Sequence, residues 1–96
     1  MTTTEELTEY LLKLREARKR QDFGCYLTLA GGVLGLLSRL GYRYVMQPSP
    51  HWVTDPWLRA YGEELERGME AFSTENSYGF LDAISEFVRC HYQPLA

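Results

Sequence analysis

Only four side chains in this chain of 96 residues are cysteine or histidine, the usual zinc ligands: Cys25, His51, Cys90 and His91. The two cysteines form no C-x-x-C pair and are too few for the disulfide framework of a small secreted domain. A zinc site needs thiolates and imidazoles at the corners of a tetrahedron. Cys90 and His91 are neighbours, and on a helix adjacent side chains diverge by about 100°, so the pair does not clasp one ion. The sequence therefore implies no metal and no cofactor. Cys25 and Cys90 read as small buried hydrophobes in a reducing, cytoplasmic setting, with a disulfide between them as the alternative.

Long apolar runs are also missing. The uncharged stretch from Phe23 to Ser38 has sixteen residues, four of them glycine, where a membrane-crossing helix needs about twenty predominantly apolar ones. Residues 1–22 are dense in charge and do not resemble a cleavable signal peptide. The glycines of the uncharged stretch lack the lysine of a phosphate-binding loop. A strong excess of one charge is absent too, the net charge being −3. Residues 1–48 carry seven basic and five acidic side chains, and residues 49–96 carry three and eight. A general nucleic-acid binder would show a larger basic excess.

What is present is an ordinary globular composition, 45% hydrophobic and 24% charged, in a length that suits one domain. Thr2-x-x-Glu5 and Thr3-x-x-Glu6 fit a capping box. Leu7, Tyr10, Leu11, Leu14 and Ala17 then repeat at helical spacing, predicting a helix over about 4–20. Asp22 caps a second helical segment, Phe23 to Leu40, that is apolar almost all round and so is expected to be buried on most sides. Gly41 reads as its left-handed cap. The pair Gly31-Gly32 implies either a break or a close approach by another part of the chain.

Residues 42–54 break the helical period. Tyr42, Tyr44 and Met46 alternate with polar or β-branched neighbours, which suits a short strand, and His51 to Thr54 would return as its hairpin partner after Pro48-Ser49-Pro50. An irregular loop is the alternative. Thr54-Asp55-Pro56 restarts a helix. Trp57, Leu58, Tyr61, Leu65, Met69 and Phe72 form its inner stripe, and Glu63, Glu64, Glu66, Arg67 and Glu70 its outer face. A last helix is expected from Ser77 to Tyr92, burying Phe80, Leu81, Ile84, Phe87, Val88 and His91 and ending at Pro94. The expected fold is all-α: a four-helix, bundle-like domain with an aromatic loop or short hairpin between the second and third helices. An α+β fold is the runner-up.

Candidate sites are few. Ser49, His51 and Asp55 have the residue types of a hydrolase triad, but nothing resembles the strand–turn–helix elbow that presents a nucleophile. Asp55 reads instead as a helix cap. Glu63, Glu66 and Glu70 share one helix face, with Arg59 and Arg67 at four-residue spacing from Glu63, the pattern of a solvated surface. Lys13, Arg15, Arg18, Lys19 and Arg20 supply five cations in eight residues. That run could follow phosphates, although no nucleic-acid-binding signature accompanies it. Tyr42, Tyr44, Trp52, Trp57 and Tyr61 are five of the thirteen aromatics and fall within twenty residues. Such rings dominate binding hot spots.

The sequence thus points away from an enzyme. It suggests a protein-interaction module: an accessory subunit, adaptor or small inhibitor of a larger protein, such as one in a nucleic-acid-handling complex. Tyr42, Tyr44, Trp52, Trp57, Glu63, Glu66 and Glu70 would form the contact. The alternative is nucleic-acid binding through residues 13–20. Homodimerisation through the glycine-bearing second helix is compatible with both.

Overall fold

The computed structural model describes residues 3–46 and 53–94. Four helices carry the chain: α1 (Thr3–Lys19), α2 (Phe23–Arg39), α3 (Pro56–Ala71) and α4 (Tyr78–Glu86). After α4 the helix widens into a π-helical turn, Phe87–His91, and the chain then straightens into β2 (Tyr92–Pro94). β2 pairs antiparallel with β1 (Tyr42–Tyr44), Tyr44 opposite Tyr92. The result is the bundle-like helical domain that the periodicity predicts, with a small two-stranded sheet.

Short polar segments set the boundaries. α1 closes in a Schellman motif, in which Asp22 N–H donates to the Ala17 carbonyl at 3.1 Å and Gln21 N–H to that of Arg18 at 3.0 Å. Gln21 takes the left-handed conformation there, at φ 57°. Asp22 then caps α2, its side chain accepting from Cys25 N–H at 3.1 Å. α2 is followed by Gly41 at φ 99°, the left-handed glycine expected. Asp55 caps α3, accepting from the N–H groups of Trp57 and Leu58 at 2.9 Å each, ahead of Pro56.

The core draws on every helix: Leu7, Leu11, Leu14 and Ala17, then Tyr26, Ala30, Val33 and Leu37, then Leu58, Tyr61 and Leu65, then Leu81 and Val88. α1 packs on α2 and α3, and α4 on the same two helices. The backbone spans 38 × 32 × 19 Å, so the short dimension holds two layers of helices about 10 Å across. Each helix therefore keeps an outer face. Among the described residues, no helix is long and apolar enough to cross a membrane.

The outer faces account for several corrections. α2 is not enclosed on most sides: Gly24, Thr28, Gly31, Gly35 and Ser38 line an exposed strip. Nor does it break at Gly31-Gly32. A β-carbon on Gly32 would overlap the Tyr10 hydroxyl, which donates to the Leu29 carbonyl, so the glycine provides room for a ring from α1. α4 buries Leu81 and Ser85, followed by Val88 in the π-helical turn, and not Phe80 or Phe87, which are 69% and 38% exposed. His91, also expected inside, is half-buried. The last helix stops short of Tyr92 because Tyr92 to Pro94 become a strand, Pro94 included. That strand, and not residues 51–54, partners β1, so the sheet joins distant parts of the chain. Val53 and Thr54 form a turn, while His51 lies outside the described residues.

Candidate functional site

Among the described residues, α4 and the turn after it leave two phenylalanines outside the core. The inward face of α4 is fixed by Leu81 and Ser85 against α2 and α3, which turns Phe80, Ala83 and Phe87 outward. These three lie at three- and four-residue steps and form one stripe. The π-helical turn and the sheet extend it. Tyr44, 45% exposed, stacks on the His91 ring with centroids 5.4 Å apart and planes at 21°. It also meets Phe87 at 5.8 Å and Tyr92 at 6.2 Å. Phe87 and His91 approach to 5.4 Å.

Backbone bonding locks this cluster to the sheet. Val45 N–H donates to the His91 carbonyl at 2.6 Å. His91 Nδ1 lies 3.1 Å from the Val45 carbonyl, which can only accept. Nδ1 therefore carries the proton in this contact. Ala83, Glu86, Phe87 and His91 enclose a small hollow of about 130 Å³. A second hollow, lined by Asn76, Ser77, Gly79 and Phe80, meets the first at Ala83. Asp82 and Glu86 are exposed beside the stripe, and α4 contains no cation. Among the described residues, neither carboxylate makes an ion pair.

Of the aromatics singled out in the sequence, only Tyr44 reaches this surface among the described residues. Tyr42 is buried, its hydroxyl 3.1 and 3.3 Å from the two carboxylate oxygens of Asp55. Burial, and then the Asp55 charge, push its pKa well above the ordinary tyrosine value. Tyr61 is buried as well and donates to the Leu7 carbonyl at 2.6 Å. Trp57 is half-buried and packs on the core. Trp52 lies outside the described residues. The signal for Phe80 and Phe87 was present all the same. α4 carries two overlapping apolar stripes, and a helix in a two-layer body buries only one.

Glu63, Glu66 and Glu70 are all exposed on α3. Glu66 pairs with Arg89 at 2.7 Å, joining the acidic face to the π-helical turn. Glu64 was expected on the same outer face but is completely buried. Arg18 grips it with both arms, Nε to Oε2 at 2.8 Å and an Nη to Oε1 at 3.1 Å. Arg15 stands 3.9 Å away. The Tyr26 hydroxyl lies 2.9 Å from Oε2 and 2.8 Å from the Glu64 carbonyl. Glu64 follows Tyr61 by three residues and precedes Gly68 by four, which puts it on the buried stripe. Gly68 is the counterpart of this packing, since a β-carbon there would overlap the Tyr26 ring.

The basic run of α1 is thereby divided. Arg15 and Arg18 face Glu64, and Lys13 lies 4.0 Å from Glu9. Arg20 reaches the Cys25 sulfur at 3.7 Å. Lys19 is exposed. These cations do not form one free basic surface.

The triad residues are not assembled among the described residues, because Ser49 and His51 lie outside them and Asp55 is engaged as a cap. No group of three or more metal-ligating side chains occurs among the described residues. Cys25 and Cys90 are half-buried and not bonded to each other, a correction to the expectation that both are fully covered. Comparison with known proteins returned no matching family, no matching curated protein and no matching solved structure.

Proposed function

We propose that the chain is a non-enzymatic protein-interaction module, an accessory subunit, adaptor or small regulator, that holds a larger protein through the aromatic face of α4 and β1. One observation carries the reading. Tyr44, Phe80 and Phe87 stand exposed on regular elements, and the Tyr44, Phe87 and His91 rings contact one another. Large rings held rigidly bury much area at low entropic cost and form the centres of binding surfaces. A contiguous exposed apolar patch on a small domain marks such a surface. The acidic face of α3, joined through Glu66 and Arg89, supplies a polar rim. Two unpaired thiols suit a reducing, cytoplasmic compartment.

The test is capture from a nuclease-treated extract of the source cells by the tagged chain. A protein retained near stoichiometry is expected, and the Phe80→Ser/Phe87→Ser double variant, checked for helical content by circular dichroism, loses it. The Lys19→Glu/Arg20→Glu variant keeps it. Loss in the basic variant with retention in the serine variant would place the contact on α1 and reject this reading.

A further inference from the structure

We propose that the occupant of this face is a cationic amphipathic segment of the partner, one of whose arginine or lysine side chains enters the hollow between Glu86, Phe87 and His91. The inference rests on the interaction reading above and adds the chemistry of what is bound.

Charge is the first argument. The stripe is flanked by Asp82 and Glu86, both exposed; α4 carries no cation, and Arg89 in the turn that follows is paired with Glu66 on α3. An apolar surface edged by unbalanced carboxylates favours apolar groups interleaved with positive charge. The same carboxylates repel an anionic membrane or a nucleic-acid backbone.

The lining of the hollow is the second. Its lining includes Glu86, whose carboxylate accepts hydrogen bonds, and His91, whose Nδ1 is directed to the Val45 carbonyl. The Phe87 ring adds an aromatic wall. A carboxylate acceptor beside aromatic rings suits a donor-rich cation. Size is the third argument. At about 130 Å³ this compartment takes a side-chain head group, and the adjoining hollow at Phe80, about 360 Å³, leaves room for the rest of the segment. Phe80 and Phe87 are separated by seven residues, about 10 Å along the axis, so a partner helix laid beside α4 meets both rings across two turns.

A library of random 16-residue peptides displayed on phage, selected against the whole chain, tests the inference. The expected winners interleave arginine or lysine with leucine, phenylalanine or methionine. Their affinity falls about tenfold with Glu86→Gln, the loss of one charge-assisted contact. It falls similarly with Phe87→Ala, and it weakens as salt is added. Neutral or acidic winners that still lose binding in Phe80→Ser/Phe87→Ser would overturn the cationic occupant while leaving the interaction face in place. Winners indifferent to all three variants would overturn both. Two further controls each carry a contrary result. Concentration-dependent dimerisation abolished by Phe80→Ser would make the occupant a second copy of the chain. Binding to phosphatidylserine vesicles lost in the same variant would make it a membrane.

Discussion

At the scale of single residues, the most consequential group is Glu64. A carboxylate without solvent contact is tolerated only when its charge and lone pairs are answered. Arg18 answers both oxygens, and the Tyr26 hydroxyl adds a third contact. Removing one partner leaves the other charge stranded. Arg18→Ala should therefore cost about 3 kcal/mol in urea unfolding, somewhat relieved by Arg15 at 3.9 Å. The Arg18→Leu/Glu64→Leu double variant should cost much less, because apolar groups of similar size need no partner. A single substitution costing no more than the double would mean that the pair is not the buried unit described. The sequence offered Glu63, Glu64 and Glu66 as equivalent surface acids. The spacing of Glu64 from Tyr61 and Gly68 held its burial, but its partner comes from α1, and no local pattern announces a contact between distant helices.

At the scale of elements, glycine has opposite meanings at different places. Gly31 lies on the outer face of α2 with open space where a β-carbon would stand. Gly31→Ala should raise stability by about 1 kcal/mol through helix propensity. Gly68 faces the Tyr26 ring, and Gly68→Ala should lower stability by about 1–3 kcal/mol through overpacking. Thermal unfolding of the two variants decides both, and a shift of the same sign in each would contradict the seating of the Tyr26 ring against Gly68. Sequence periodicity located all four helices and the caps at Asp22, Gly41 and Asp55, because caps and stripes are local. It misplaced the end of α4, where the π-helical turn and the pairing of Tyr92 with Tyr44 depend on the strand at residues 42–44. It also overstated the cover of α2, expected to be buried on most sides, and placed Phe80 and Phe87 inside together with Leu81 and Val88, which are buried. Both helices carry apolar residues on several sides, and only the two-layer arrangement decides which side is covered.

At the scale of the whole molecule, three tyrosines anchor the layers through buried hydroxyls. The pKa values of Tyr26, Tyr42 and Tyr61 are all raised, first by burial, then by the Glu64 charge for Tyr26, by Asp55 for Tyr42 and by Tyr10 for Tyr61. The folded chain therefore holds these protons more tightly than the unfolded chain, whose tyrosines ionise near pH 10. The stability they contribute is complete below about pH 10 and declines as the pH rises through the folded values. The urea midpoint should hold up to about pH 10 and fall beyond it, and a midpoint that stays level well into that range would contradict the buried hydroxyls. Tyrosine burial also bears on the functional surface. With Tyr42 and Tyr61 in the core, the aromatic surface passes to Tyr44, Phe80 and Phe87. The sequence had put that surface on residues 42–61 and missed the phenylalanines because it assigned them to the core.

The central claim, that this face and not the flat strip of α2 or the basic end of α1 meets the partner, is tested most directly by photo-crosslinking. A benzoylphenylalanine is placed at Phe87 in one preparation, at Gly31 in a second and at Lys19 in a third, and each is irradiated in nuclease-treated source extract. The account predicts one protein adduct from the Phe87 position and none from the other two. An adduct from Gly31 to a second copy of the chain, or from Lys19 alone, with the Phe87 position silent, would contradict it.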